Sequence, residues 1–160
     1  MTGNQRLIIA VVCAMAAGCG GTKATEGTTG PTTNAKVLTA SVNGTAFAAT
    51  TVSGGFLNGS LSIAGVNGLR SLNIAAINLS GPGTYSLSMG NPNSALAMFG
   101  DGNTGQFSTG YGGAGTLTLT AATLGHIKGT FTFTAYTSAG GGLGKPVVTV
   151  LDGVFDITLP

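Results

Sequence analysis

The chain predicts an all-β fold, an antiparallel β-sandwich with a small closed β-barrel as the alternative. Three observations carry that expectation. Short apolar-polar alternations recur along most of the chain, as in Thr116-Leu117-Thr118-Leu119-Thr120 and Thr130-Phe131-Thr132-Phe133-Thr134. Turn-forming pairs such as Asn43-Gly44, Asn67-Gly68 and Asp152-Gly153 punctuate them. The polar positions are filled by Thr and Ser, while the helix formers Glu, Lys and Gln are scarce.

The first 18 residues stand apart. Arg6 precedes the apolar run Leu7 to Ala17, which ends in Gly18 and Cys19. About eleven apolar residues suit a signal-peptide core and fall short of a membrane span. Small residues directly before a thiol suit a narrow peptidase cleft, and the thiol itself can take a diacylglycerol. Residues 1–18 are therefore expected to be a lipoprotein signal peptide, with Cys19 the lipidated first residue of the mature protein. Ala14-Met15-Ala16 also fits the A-x-A pattern of ordinary secretion, which would release a soluble product. The placement of a Cys at the end of the run, with none after it, favours lipidation. Stable attachment takes more than one acyl chain, a need that lipidation of this type meets. Cys13 should leave with the signal peptide, so no disulfide and no cysteine metal site is expected in the mature domain.

Residues 19–36 are Gly/Thr-rich, contain Pro31 and lack an apolar period. They read as a flexible tether, whose r.m.s. span would be roughly 20–25 Å, and which by itself would not fix the domain's orientation. Residues 37–160 read as the β-domain.

Within that domain, Val37 to Val42 and Thr45 to Val52 flank Asn43-Gly44 as a hairpin, with Phe47 the aromatic core residue. Leu61 and Ile63 alternate with serines. Asn67-Gly68 should turn the chain into a strand from Leu69 to Leu79, where apolar parity switches at Ile77; a bulge near Ala75-Ala76 or burial of both faces would explain the switch. Gly81-Pro82-Gly83 breaks the chain. Thr84 to Ser88, Ala95 to Phe99 and Gln106 to Thr109 are short strand candidates. Val147 to Leu151 and Val154 to Leu159 close the domain. Asp152-Gly153 between them is a turn or a bulge, and the bulge is the better fit because the chain ends after the second segment. Roughly nine or ten such strands with short connections imply a sandwich or barrel. A transmembrane barrel is the rival. Strands of about five to eight residues argue against it, since about nine to eleven are needed to span.

Four stretches, in order, carry a resemblance. They are Ser41-Val42-Asn43-Gly44-Thr45-Ala46-Phe47-Ala48-Ala49, Gly83-Thr84-Tyr85, Ile127 to Ala135 with Gly129-Thr130-Phe131-Thr132-Phe133, and Val148 to Ile157 with Gly153-Val154-Phe155-Asp156-Ile157. The chain from Lys36 to Pro160 resembles a family of small bacterial β-domain lipoproteins built on a domain of unknown function. Members often carry Trp where Phe47 stands. The resemblance implies an envelope lipoprotein with a sandwich-like domain, and it brings no catalytic residues with it.

Charge excludes one class of partner. Lys23, Lys36, Arg70, Lys128 and Lys145 nearly balance Glu26, Asp101, Asp152 and Asp156 and form no cluster. Nucleic-acid binding needs clustered cations, so none is expected.

Candidate chemistry is sparse. His126, the only His, shares a strand parity with Lys128, Thr130 and Thr132, which should turn it to solvent. A base needs a nucleophile and an orienting group in reach, and no G-x-S-x-G elbow exists. Asp101-Gly102-Asn103-Thr104-Gly105 resembles part of a calcium loop without its closing Glu; an Asx turn explains it equally, and Asp101 and Asn103 are a weak metal candidate. Gly110-Tyr111-Gly112-Gly113-Ala114-Gly115 spells G-x-G-x-x-G, but a strand follows where a phosphate-binding helix is required. Tyr111 and Tyr136, near Gly-rich segments, are the candidate ligand-binding residues for a glycan or small molecule.

The reading that results is a lipid-anchored cell-envelope protein with a non-catalytic binding or structural role, without cofactor, attached to the membrane through Cys19. Gly20 after Cys19, in place of an acid, favours the outer membrane. A small-ligand or glycan-binding lipoprotein is the alternative.

Overall fold

The computed structural model describes residues 36–138 and 147–159. The expected signal peptide, Cys19, the tether up to residue 35 and the Gly140–Gly144 stretch lie outside these residues.

Each strand forms where the alternation or a turn pair demands it. β1 (Lys36–Val42) and β2 (Thr45–Ala48) flank Asn43-Gly44, whose φ values of 49° and 78° mark the type I′ hairpin turn that Asn-Gly favours. β3 (Thr51–Leu57) and β4 (Ser60–Asn67) flank Asn58-Gly59, at 50° and 77°. β5 (Arg70–Ala76) follows, then β6 (Gly83–Ser86), β7 (Leu96–Asp101) and β8 (Gly105–Ser108). A 3₁₀ turn over Thr109–Tyr111 leads into β9 (Ala114–Ala122), β10 (His126–Tyr136) and β11 (Val147–Thr158).

The fold is all-β and antiparallel. Its strands are hydrogen-bonded into one continuous sheet, in the order β2-β1-β11-β10-β8-β7-β5-β4-β3, that curls into a half-barrel. β10 is where the sheet forks. One of its edges pairs with β11. The other pairs with β9 from Ile127 to Thr134 and, at Tyr136, with Ser108 of β8. β6 extends the β9 branch. The curl brings the two walls face to face, so one sheet supplies both layers around a single core.

That core holds Leu38, Phe47, Ile63, Leu72, Ile74, Leu117, Ile127, Phe131, Phe155 and Ile157. Phe131 stacks against Phe133 and Phe155 at centroid separations of 6.2 and 6.4 Å. Stacked pairs of this kind add about 0.5–1.5 kcal/mol beyond their buried area.

Asp152-Gly153 is the expected bulge. Val148 and Val150 point inward, and so do Gly153, Phe155 and Ile157. One extra residue between the two sets keeps both on the same face, and the register of β11 slips there against both β1 and β10. Asp152 takes a φ of 52° to make the bulge. Gly153 is glycine because a Cβ there would sit 2.4 Å from a ring carbon of Phe131.

Four expectations change in detail. Thr45 to Val52 is not one strand: it ends at Ala48 and the chain crosses to β3. The β4–β5 turn residues are Gly68 and Leu69, while Asn67 pairs with Arg70 and donates its side-chain amide to the Ala48 carbonyl. No bulge interrupts β5; the strand stops at Ala76, which frees Ile77 to face solvent and Leu79 to turn inward. Strand length is also underestimated: β9, β10 and β11 run to 9, 11 and 12 residues, so length does not argue against a membrane barrel. Polarity does. β10 turns Lys128, Thr130 and Thr132 outward and Ile127, Phe131 and Phe133 inward, the reverse of a lipid-facing wall.

Candidate functional site

The curled sheet has two ends, each closed by turns. At one end lie the β3–β4 turn, the Leu79–Pro82 loop and the β9–β10 turn. Together they line a cavity of about 530 Å³ whose walls include Phe56, Leu57, Leu79, Pro82, Ala122 and Leu124. No charged residue lines it. Gly59 lets the β3–β4 turn lie directly on the loop: the Leu79 amide donates to the Gly59 carbonyl, and a Cβ on Gly59 would fall 2.8 Å from the Leu79 carbonyl oxygen. Two leucines at this end stand in solvent, Leu57 at the end of β3 at 60% and Leu124 on the β9–β10 turn at 70% exposure. Tyr85, from the Gly-Thr-Tyr stretch, donates its hydroxyl to the Gly81 carbonyl at 2.7 Å and pins the loop from behind.

The opposite end is built from polar and aromatic groups. Arg70 lies over two rings, 5.5 Å from the centroid of Phe47 and 5.3 Å from that of Phe99, which meet each other edge to face. Asn43 accepts the Thr149 amide on its side-chain oxygen at 2.8 Å, tying the β1–β2 turn to β11. A shallow cavity of about 350 Å³ is lined there by Asn43, Thr45, Arg70, Phe99, Asp101 and Thr104, among others.

On the convex face, His126, Lys128 and Asp156 form a cluster. Asp156 is directly opposite Lys128 in the β10–β11 ladder and diagonal to His126. One carboxylate oxygen lies 2.7 Å from His126 Nε2 and the other 2.7 Å from Lys128 Nζ. The hydrogen bonds from Lys128 and His126 hold the Asp156 carboxyl below its ordinary value of 3.8. His126 thus faces solvent as its parity requires, but with partners that the sequence alone did not reveal. An Asp-oriented imidazole can exchange protons; here it is half-exposed, lines none of the cavities described above, and has no nucleophile among its hydrogen-bond partners.

The other expected residues fall as follows. Asp101 accepts the Asn103 amide at 2.9 Å, the Asx turn of the β7–β8 connection. Among the described residues no group of three His, Cys, Asp or Glu could hold a metal ion. The G-x-G-x-x-G stretch leads through the 3₁₀ turn into β9, a strand, and so lacks the helix N-terminus a phosphate needs. Tyr111 closes the 3₁₀ turn at 42% exposure, and Tyr136 ends β10. The Tyr136–Ser108 pairing sets them in one neighbourhood.

Asp156, Arg70 and the Leu57–Leu124 end were not foreseen as functional features. Arg70 carried a signal: it is the one Arg outside the N-terminal segment, two residues after a turn glycine. The other two depend on residues distant in the chain.

The fold and its sites define a class: a small all-β domain whose cavities lie at the turn-bearing ends of one curled sheet. Residues 34–156 match the family described as Domain of unknown function (DUF6252), and the chain belongs to that family. Neither the curated proteins nor the solved structures compared with it give a match.

Proposed function

We propose that this protein is a non-catalytic binding module of the bacterial cell envelope, lipid-anchored through Cys19 and placed in the outer membrane, that takes a partner strand along β3. The observation that carries the binding role is the free edge of β3. Thr51 to Leu57 pairs with β4 in unbroken register, and among the described residues its other edge has no strand partner. The strand carries no charge, proline or bulge, the usual devices that blunt an edge. An extended segment of a partner can add there through main-chain hydrogen bonds. The anchor rests on the Ala16-Ala17-Gly18-Cys19 stretch, and outer-membrane placement on Gly20.

Two measurements test the two halves. Metabolic labelling with a palmitate analogue should mark the wild type and not Cys19→Ser; an unlabelled wild type turns the reading to soluble secretion. A photocrosslinker at Ser53 in living cells should trap one discrete partner, and Gly55→Lys should abolish the product. A Cβ at Gly55 meets nothing within 4 Å, so this charge is added without disturbing the fold. A crosslink that survives Gly55→Lys removes the edge-pairing role.

The second reading is a small-ligand or glycan site at Tyr111 and Tyr136, favoured by their shared neighbourhood. It requires a wild-type glycan-array signal that disappears in the double Tyr→Ala variant.

A further inference from the structure

We infer that the Leu57–Leu124 end is a membrane-contact surface, which rests the domain on the bilayer that holds its lipid. The inference builds on the lipid-anchored reading and adds an orientation to it.

Three features of this end converge on a lipid surface. The first is where the chain enters. Lys36 pairs with Ile157, and the next β11 residue, Thr158, pairs with His126 at the start of β10. The β9–β10 turn that carries Leu124 immediately precedes His126, and the Leu159 amide donates to Gly125 within it. The domain therefore begins, at Lys36, at the cavity end, and this is the side by which a lipid upstream would hold it. The second is the pair of leucines. Leu57 ends β3 beside its turn and Leu124 sits on the β9–β10 turn, each mostly in solvent beside an apolar cavity, and nothing in the described sheet uses them. Apolar side chains exposed in this way are what a headgroup–acyl boundary accepts. The third is charge. The cavity lining holds no carboxylate to be desolvated, and Lys36 at the same end is exposed, where its ammonium can meet lipid phosphates. The far end lacks the chain entry and the uncharged lining: its cavity is lined by Arg70, Asp101 and Asn43, and a single turn leucine, Leu69, is exposed there.

A protein partner on the same leucines would need no relation to the point of chain entry. A bilayer does: the tether joins the domain at this end and brings it nearest the anchor, and the leucines then supply the orientation that the tether does not. Lying on the membrane by this end leaves β3 rising from the surface with Thr51 outermost, accessible to a partner strand.

The chain contains no Trp, so one introduced Trp is an unambiguous reporter. Full-length lipidated protein carrying Leu124→Trp would be reconstituted into vesicles containing phospholipid brominated on its acyl chains, beside a Leu69→Trp control. Leu69 is 71% exposed on the turn at the far end. The expected result is quenching of the residue-124 emission several times stronger than that of the residue-69 emission. Leu57→Trp, at the end of β3, should repeat it and guards against misfolding of the first variant. Equal quenching at both ends in palmitate-labelled protein overturns the orientation while leaving the anchor standing. An unlabelled wild type overturns the anchor and this inference with it. Quenching of the residue-124 emission by monomeric brominated fatty acid, without vesicles, makes the cavity a ligand pocket and also overturns surface contact.

Discussion

The two ends of the curled sheet face the same problem and solve it differently. Each must close a core with turns that expose backbone to water. The end carrying Arg70 covers Phe47 and Phe99 with a guanidinium and ties the β1–β2 turn to β11 through Asn43. Both rings there have partners inside the domain, and Leu69 on the β4–β5 turn is the large apolar group left exposed at that end. The other end leaves an apolar cavity with Leu57 and Leu124 beyond it, partnered by nothing in the described sheet. The difference teaches that exposure of apolar residues is not forced by the fold. The same sheet can seal an end, so the end left unsealed is the one available for contact with something else.

Four variants break or sharpen that contrast. Phe47→Ala removes a fully buried ring from beneath Arg70 and should cost about 3–5 kcal/mol in denaturant unfolding; a loss under about 1 kcal/mol would mean that the far end is not sealed by packing. Asn43→Ala keeps a positive φ without the side chain that favours it and drops the bond to Thr149. About 1–2 kcal/mol should be lost on the same assay.

Asp156→Asn tests the convex face between the two ends. Because Lys128 and His126 depress the Asp156 pKa in the folded state, its contribution is present above the ordinary carboxylate value of 3.8 and is lost as pH falls through the lowered folded value. Wild type and variant should therefore differ by less than about 1 kcal/mol near neutrality, and by less still in high salt, given the exposure of all three groups. Their stabilities should converge below pH 3.8 as the carboxyl protonates. A gap that persists at the acid end would disprove the ion cluster as its cause.

Leu57→Ser with Leu124→Ser should change unfolding free energy by no more than about 0.5 kcal/mol per site. If instead it destabilises the domain as Phe47→Ala does, the cavity end is core and the contrast between the ends disappears.

Much of the sheet was legible because its strands are amphipathic at period two. β9 and β10 could be read residue by residue, and the outward parity of His126 followed from its place relative to Phe131. Asp152-Gly153 was legible as a turn or a bulge, and the register of β11 against β1 and β10 decided for the bulge. β3 was not. Its inward positions are Val52, Gly54 and Phe56, and the middle one is glycine because a Cβ would meet Ile127 at 2.9 Å. A pattern that depends on apolar bulk cannot register an inward position left empty for a neighbour's side chain. The switch at Ile77 misled for a related reason. Parity alone does not distinguish a bulge from a strand that simply ends.

By itself the sequence determined the β class, most turn positions, the inward and outward faces of the long strands, and the expectation of a thiol-linked lipid at Cys19. All of these are local, set by side-chain alternation, by turn pairs such as Asn43-Gly44, or by a short contiguous stretch. Tertiary structure alone decided that the strands form one forked sheet, that Asp156 meets His126 thirty residues away in the chain, and that Leu57 and Leu124 flank a common cavity. Those juxtapositions depend on register and curl, which come from the sum of packing around Phe131 and Phe155 and which no single stretch of the chain encodes.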